Sequence, residues 1–468
     1  MPDRAYHPEG QEYTWAETLD AVEALKTRYA QAGYGFGHRI AFLFAQRPEF
    51  VFHYYALNAL GISVVPLNPD YKQDEIHYVL EHSEAVLAVA IVSRLDDLKA
   101  VSGALGGRVP VVPLEEFPEQ LPEPPRALEK KPDGTTEAAL LYTSGTTGRP
   151  KGCIQTNEYF HTFGSWYASA GGLITLREAE ERMYNPLPLH HANCLSISMP
   201  AMLLTGGALF FPDRFHGSTW WKDLVNCRIT AVHYQGVIPN VLLKRQPSPE
   251  ERQHQVRFGF GTGVDPSQHR LFEERFGFPL VEFWTMSEMG RFIADNVEPR
   301  RIDTRAIGRT RSGLELRVVD ESDRDVPVGQ AGELVARHTA AAPRKGFFSG
   351  YLKNPEATEE AWRNGWFHTG DTVTCDETGM FYFVDRRKNI IRRSGENIAA
   401  AEIDDCLQTH PKVKQAAALA VPDEVREEEV MVCIVLNSQD DAGPELAREL
   451  FDWCYDRLAY FKAPGWVL

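Results

Sequence analysis

The sequence predicts an α/β fold: a large N-terminal domain of several β-sheet subdomains flanked by helices, and a small, mobile α+β C-terminal domain. Helical periodicity, as over residues 15–32, alternates with short β-rich runs such as 40–44 and 63–66, which is the pattern of α/β proteins. The length points the same way, because 468 residues exceed what one ordinary hydrophobic core holds. We therefore expect at least two packed units.

The character of the sequence changes near residue 385, so we predict an N-terminal domain over 1–385 and a C-terminal lid domain over 386–468. Around and after this boundary we expect two short strands at 380–384 and 389–392 and a helix from about 400. Two more strands are expected at 416–421 and 430–436, and a last helix at 445–460. The tetrad Asp-Arg-Arg-Lys separates the first two strands, and we predict a hinge at this hairpin.

Composition excludes several classes of partner. The formal net charge of −16 argues against nucleic acid or an anionic membrane, because most of the surface would repel a polyanion. The seven cysteines are scattered without a C-x-x-C pair, which predicts reduced thiols and a cytoplasmic protein. No signal peptide is expected from the charged first residues.

One uncharged stretch, residues 192–212, approaches the length of a membrane span. Asn, Ser, Thr, Pro and two adjacent glycines interrupt it, so no membrane span is predicted. We expect a buried helix, a Gly-Gly turn and a strand at 208–211.

The strongest motif is the decapeptide that directly follows a predicted buried strand at 138–142. Its residues are Thr143, Ser144, Gly145, Thr146, Thr147, Gly148, Arg149, Pro150, Lys151 and Gly152. Glycines let main-chain N–H groups approach an anion, four hydroxyls add donors and Lys151 adds charge, so the segment suits a polyphosphate. It is not a Walker A loop, since Pro150 precedes the lysine and Gly152 follows it. The alternative is a flexible Gly/Thr linker.

This decapeptide resembles the signature loop of the AMP-forming adenylate ligases, the superfamily of acyl-CoA synthetases, adenylation domains and beetle luciferases. The resemblance covers nearly the whole chain, including Tyr13-Thr14-Trp15 and residues 37–44 and 56–69. Within the superfamily, residues 214–222 look most like the crotonobetaine/carnitine-CoA ligase group. The resemblance implies binding of ATP, Mg²⁺, coenzyme A and a small carboxylic acid.

The segment 187–193 matches the superfamily's Pro-Leu-Phe-His element, whose histidine lies beside the substrate carboxylate and the reacting phosphate. By this resemblance His191 takes that role. Two adjacent histidines are also compatible with a packed polar turn, and this pair alone does not predict a metal site.

Two further segments resemble the superfamily's adenine and metal region. They are Gly261-Thr262-Gly263 and Glu282-Phe283-Trp284-Thr285-Met286-Ser287-Glu288. Trp284 can stack on adenine, Ser287 can bond phosphate, and Glu288 is the expected magnesium ligand. The usual pattern is Tyr-Gly-x-Thr-Glu, so this chain adds bulk where glycine is expected. Alone, the stretch could equally be a strand ending in a turn with an exposed glutamate.

The remaining site residues also rest on the resemblance. Asp371, in Trp-Phe-His-Thr-Gly-Asp, is expected to accept hydrogen bonds from both ribose hydroxyls. Arg386 falls at a ribose-contacting position and Lys388 at the hinge, although such a basic run is often a solvated face. Gly395 belongs to a loop that resembles the one lining the coenzyme A path.

The implied activity is AMP-forming acyl-CoA ligation: ATP and a carboxylate give an acyl-adenylate, and coenzyme A then takes the acyl group. Two alternatives are a carrier-protein thiol as acceptor and a nucleotide-binding protein without catalysis. The superfamily's C-terminal adenylation lysine has no counterpart here, since Lys462 belongs to an earlier segment. Either the last segment is missing, which we favour, or the protein adenylates poorly. A homodimer is compatible with the sequence.

Six aromatic residues could line a compact acyl pocket suited to a cation such as a betaine, or could be plain core. They are Trp166, Tyr167, Trp220, Trp221, Phe283 and Trp284.

Overall fold

A computed structural model describes residues 10–143, 149–386, 390–437 and 442–468, with the backbone alone for 385 and 386. It has the predicted α/β class. The chain groups into two compact units, which are Met1–Glu158 with Ile398–Val421 and Glu429–Leu468, and Tyr159–Asn397 with Pro422–Glu428. The boundary at 385/386 remains a prediction.

The first unit contributes six strands to one sheet. Their order is Lys151–Thr156, Glu137–Thr143, Ser63–Pro66, Arg39–Leu43, Leu87–Ala90 and Val111–Pro113. Adjacent strands are parallel except for the first pair. Parallel strands are covered on both faces, which explains why Ser63–Pro66 and Leu87–Ala90 are buried along their whole length. The helices of this region are Trp15–Gln31, Pro48–Asn58, Gln73–Ser83 and Leu95–Ala104.

The C-terminal part of the first unit is an α+β module, as predicted. Its elements are Ala400–Gln408, Val413–Asp423, Glu427–Leu436, Pro444–Arg457 and Trp466–Val467. The last strand pairs in parallel with its neighbour, with Met431 opposite Trp466.

A buried lysine ties this module to the N-terminal helices of the same unit. Lys462 Nζ forms ion pairs with Glu75 and Glu402, and its side chain is 5% exposed. The Tyr71 ring lies 5.3 Å from the ammonium. Burial alone would lower the pKa of Lys462, but the carboxylates of Glu402 and Glu75 raise it, so the lysine stays charged.

The second unit contains a six-stranded sheet and a five-stranded sheet. The first runs Ile293–Ala294, Leu280–Trp284, Phe258–Thr262, Ala231–Gln235, Arg182–Tyr184 and Ala208–Phe210, parallel except for its first pair. The second is antiparallel, in the order Ala306–Gly308, Phe381–Arg386, Phe367–Cys375, Gly332–Arg337 and Glu315–Val319. Short strands lie at Gly350–Tyr351, Ile390–Arg393 and Glu396–Ala399.

Helices flank these sheets. They are Asn157–Ala168, Met199–Thr205, Trp220–Asn226, Val237–Lys244, Pro266–Phe276 and Pro355–Ala361. The uncharged stretch folds as predicted: a π-helix at Asn193–Ser198 leads into Met199–Thr205, two glycines turn the chain, and a strand follows at Ala208–Phe210. In the described part of the chain, no helix is both long and apolar enough to cross a bilayer.

Candidate active site

Many of the predicted site residues follow the carboxyl ends of the parallel strands in the second unit. Strand Phe258–Thr262 leads into Gly263, strand Leu280–Trp284 leads into Ser287 and Glu288, and Arg182–Tyr184 leads toward His191. In open parallel sheets this edge is where ligands bind. The fold therefore gathers residues that are far apart in sequence at one edge of one sheet.

Glu282 joins two of these strands. Its carboxylate accepts a hydrogen bond from the Tyr234 hydroxyl at 2.7 Å and another from the Gly263 amide at 2.8 Å. Burial raises the pKa of Glu282 and the Tyr234 bond opposes that rise. Gly261 is required here, because a Cβ atom would stand 2.3 Å from the Tyr234 carbonyl oxygen.

Trp284 and Asp371 meet directly. The indole Nε1–H of Trp284 donates to Asp371 Oδ2 at 2.8 Å, and the Asp371 side chain is fully buried. A carboxylate has about four acceptor positions, so this bond is compatible with the predicted ribose contacts. Arg386 lies opposite Asp371 in the register of the adjacent strands, while its side chain and all of Lys388 lie outside the described residues.

We expect Trp284→Phe to lower the free energy of unfolding by about 1–3 kcal/mol, because the buried Asp371 carboxylate loses a donor. Chemical denaturation would measure the change. Trp166→Phe is the matched control, since the Trp166 indole donates to the neutral Phe292 carbonyl at 2.7 Å. Equal losses in the two variants would contradict a special contribution from the charged acceptor.

The Ser287–Glu288 turn is held from three sides. The Tyr159 hydroxyl donates to the Ser287 carbonyl at 2.9 Å, and the Tyr351 hydroxyl donates to Glu288 Oε1 at 2.9 Å. The Phe348 amide bonds the Glu288 carbonyl at 2.9 Å. Glu288 is 6% exposed, so it is not the exposed glutamate of an ordinary turn. Carboxylate oxygens held in this way are the kind of group that hard cations such as Mg²⁺ prefer.

The neighbouring residues of this segment have separate positions. The Thr285 hydroxyl donates to the Arg291 carbonyl, and the Met286 carbonyl accepts the Met289 amide at 3.1 Å. Phe283 is buried and stacks on Phe260 at 4.3 Å between ring centroids. Thr262 ends its strand one residue before Gly263.

His191 is paired with a residue that follows the predicted hinge. His191 Nε2 lies 3.2 Å from both carboxylate oxygens of Glu396. Burial opposes protonation of His191, yet the Glu396 carboxylate outweighs it and raises the pKa of the imidazole. His190 is next to this pair, and burial, with His191 adding to it, lowers its pKa to about 3.

A buried polar network supports the histidine turn. Asn185 Nδ2 donates to Asn193 Oδ1 at 3.0 Å and to Ser198 Oγ at 2.6 Å. His233 Nδ1 is 2.7 Å from Asn193 Oδ1, and its Nε2 is 3.2 Å from the Tyr167 hydroxyl. The π-helix begins within this network, and such helices often occur at functional sites.

The predicted phosphate segment lies in the first unit. Thr143 and Lys151 are register partners at the ends of two antiparallel strands, and Thr143 Oγ1 is 3.8 Å from Cys153 Sγ. Ser144, Gly145, Thr146, Thr147 and Gly148 lie outside the described residues. The Tyr78 hydroxyl donates to the Pro150 carbonyl at 2.8 Å, and this bond holds the residue that precedes strand Lys151–Thr156.

Gly395 has a conformation that suits glycine. Its φ of +90° is left-handed, and a Cβ atom would lie 1.7 Å from Gln235 Oε1. The predicted loop therefore packs closely on the end of strand Ala231–Gln235.

At least two of the six aromatic residues belong to the hydrophobic core. Trp220 and Trp221 are buried in a hydrophobic cluster with Phe276, which supports the plain-core alternative. Arg311 covers Trp166 at 3.8 Å from guanidinium carbon to ring centroid, so this ring already has a cation in contact with it.

Comparison with known proteins identifies the family. The protein-family model described as "AMP-binding enzyme" matches residues 1–352. The chain belongs to the AMP-binding enzyme family. The model "AMP-binding enzyme C-terminal domain" matches residues 402–468 as well.

Relatives of this AMP-binding enzyme match along nearly all of its length. The crotonobetaine/carnitine-CoA ligase of Shigella sonnei is 28% identical, covering 97% of this chain and 89% of that protein. The ligase of the same name from Citrobacter koseri is 29% identical over the same shares. Both matches confirm the predicted likeness to this group.

Solved structures confirm the fold. The o-succinylbenzoate CoA synthetase of Bacillus subtilis has a TM-score of 0.85 at 24% identity, covering 98% of this chain and 91% of that chain. The amide bond synthetase of Marinactinospora thermotolerans has a TM-score of 0.84 at 26% identity, over the same shares.

Three contact residues of this AMP-binding enzyme were not predicted from the sequence: Tyr234, Tyr351 and Glu396. Each touches a predicted site residue, namely Glu282, Glu288 and His191 respectively. Glu396 stands beside Gly395 in a segment already singled out, so its acidic character was the available signal. Tyr234 carries no local signal of this kind.

Proposed function

We infer that the chain is an AMP-forming acyl-CoA ligase, an acid–thiol ligase that uses ATP and coenzyme A. Its membership of the AMP-binding enzyme family supports this, as do the CoA ligases that match 97% of the chain. The structural observation that carries the proposal is the segment 282–288, which sets the buried Glu288 carboxylate and the Trp284–Asp371 bond at the ligand-binding edge of the sheet.

Glu288 is the residue proposed to hold Mg²⁺. Its carboxylate fits a hard cation, and the Tyr351 hydroxyl orients it. When bound, Mg²⁺ would supply Lewis-acid stabilisation of the negative charge on the ATP phosphates. Ser287, on the same turn, would donate its hydroxyl to a phosphate oxygen.

In the first half-reaction, a carboxylate oxygen attacks the α-phosphorus of ATP, and the bond to the β-phosphate oxygen breaks. Lys151 and the hydroxyls from Thr143 onward are proposed to bind the departing pyrophosphate through charge-assisted hydrogen bonds. His191 would donate to the reacting oxygens, which its raised pKa favours. Asp371 and Arg386 are proposed to hold the ribose.

In the second half-reaction, the thiolate of coenzyme A attacks the acyl carbonyl and AMP leaves. The acyl-adenylate is a mixed anhydride, so water must be kept away until the thiol arrives. We propose that rotation at Lys388, which would separate Lys462 from Glu75, exchanges the residues facing the adenylate and brings the Gly395 loop to the thiol path.

Product analysis tests this proposal. The chain is incubated with ATP, Mg²⁺, coenzyme A and a panel of carboxylic acids, starting with trimethylammonium acids because of the names of its relatives. AMP, pyrophosphate and one acyl-CoA thioester, detected by mass, are the expected products. ADP would indicate a kinase, and nucleotide binding without turnover across the panel would overturn the proposal.

The acceptor is tested in the same assay. Coenzyme A is replaced by a phosphopantetheine-bearing carrier protein or by an amine, since one relative at 26% identity is an amide bond synthetase. We expect acyl transfer only to coenzyme A, with neither a carrier-protein thioester nor an amide formed. The acid itself we propose to be short or medium in length and polar.

All seven cysteines are free thiols, which suits the cytoplasmic location that we propose.

A further inference from the structure

Three potential metal ligands converge beside the site. His190, His191 and Glu396 each offer one ligand atom, and these atoms lie within 4.8 Å of one another. Across residues 10–143, 149–386, 390–437 and 442–468, this is the one group of three or more His, Cys, Asp or Glu residues that meets that criterion. The convergence arises from the fold, because Glu396 is 205 residues from His191 in the sequence.

The nitrogen chemistry suits a borderline metal ion. His190 Nε2 is a buried atom with no hydrogen-bond partner among the described residues. A buried polar atom without a partner is costly, and a ligand would satisfy it.

The distances suit tetrahedral coordination. Metal–ligand bonds of about 2.0–2.1 Å place two ligand atoms about 3.3 Å apart on a tetrahedral edge. The separation of 3.2 Å between His191 Nε2 and the Glu396 oxygens already matches such an edge. The third ligand atom is at most 4.8 Å from the others, so a small side-chain rotation brings it into range.

We propose that His190, His191 and Glu396 form a binding site for Zn²⁺ or a similar divalent transition-metal ion, separate from the magnesium ligand Glu288. Two imidazoles and one carboxylate select such ions over Mg²⁺, which prefers oxygen ligands. Zn²⁺ bound there blocks the His191 side chain, so it inhibits the ligase. The inhibition rests on the proposed function, whereas metal binding does not.

Direct binding tests the site. Tag-free, reduced, metal-stripped full-length protein is titrated with Zn²⁺ alone against a chromophoric chelator, and in parallel with Co²⁺ while visible absorption is recorded. We expect one site per chain, with the visible bands of tetrahedral Co²⁺. Glu396→Gln and His190→Gln are each expected to weaken binding at least 10-fold, with circular dichroism confirming that both variants are folded.

A control variant separates this site from ordinary histidine–carboxylate pairs. Glu449→Gln removes a carboxylate that also lies 3.2 Å from a histidine, His410, but among the described residues this pair has no third potential ligand within reach. It is expected to bind Zn²⁺ as tightly as the unaltered chain. The proposal is overturned if the unaltered chain takes up no Zn²⁺, or if both ligand variants bind it with unchanged affinity.

Inhibition is measured separately, with thioester formation followed at fixed Mg²⁺ and rising free Zn²⁺. The Glu449→Gln variant should lose activity at the same Zn²⁺ concentration as the unaltered chain, and a chelator should restore it. Zn²⁺ binding without inhibition would overturn the inhibitory role, while the proposed metal site itself would still be supported. A chain that binds Zn²⁺ yet makes no thioester from any acid would instead overturn the proposed function.

Discussion

Glu288→Gln is expected to lower the rate of adenylate formation by about 100- to 1,000-fold, a loss of roughly 3–4 kcal/mol in transition-state stabilisation. Glutamine has the size of glutamate and can still accept from the Tyr351 hydroxyl, which now donates to Oε1 at 2.9 Å. It lacks the negative charge that the metal ion requires. Carboxylate-dependent exchange between ATP and pyrophosphate, measured over a range of Mg²⁺ concentrations, reports this step.

Tyr351→Phe is the matched control for this prediction. It leaves the Glu288 carboxylate in place and removes only the hydroxyl that orients it, so a loss of about 10-fold is expected. Raising Mg²⁺ should recover part of the Tyr351→Phe rate and little of the Glu288→Gln rate. If Glu288→Gln exchanged at the rate of the unaltered chain with the same Mg²⁺ requirement, the assigned role would be wrong.

Lys462→Met is expected to destabilise the first unit by about 3–5 kcal/mol. The ammonium pairs with Glu75 and Glu402, whose side chains are only 9% and 10% exposed. Removing it leaves two nearly buried carboxylates without their cation and close to each other. The shift of the denaturation midpoint, followed by fluorescence in guanidinium chloride, measures the loss.

Two further variants serve as controls for the Lys462→Met result. Lys412→Met removes an ammonium that is 2.9 Å from Glu449, but that pair is 38% and 46% exposed, so about 0–1 kcal/mol is expected. Adding Glu402→Gln to Lys462→Met should recover part of the stability, because it removes one of the uncompensated charges. A Lys462→Met midpoint no lower than that of Lys412→Met would refute the buried-pair account.

Local sequence patterns predicted the elements of the fold well. Strands expected at 63–66 and 138–142 are found at Ser63–Pro66 and Glu137–Thr143, because a run of buried apolar residues has few other places in an α/β protein. The helix expected at 445–460 ends earlier, at Arg457. Helix ends depend on capping and on the contacts of the next segment, which periodicity does not encode.

Contacts within the site were harder to predict. The resemblance named Trp284, Asp371 and His191, but not the bonds between these residues and their partners. The Trp284–Asp371 bond spans 87 residues and the His191–Glu396 bond spans 205, so each depends on how whole strands are placed. For Trp220 and Trp221, aromatic character in the sequence was compatible with either an acyl pocket or the core, and only the packing in the structure shows that they lie in the core.

The bond between Lys462 and Glu75 joins residues 387 positions apart in the chain. A ribosome adding roughly 5–20 residues per second needs about 20 to 80 s to travel that distance. During that time the helix Gln73–Ser83 has already been synthesised, but its Glu75 carboxylate lacks the Lys462 ammonium with which it pairs in the folded protein. The first unit therefore acquires this ion pair only after the whole second unit has been synthesised.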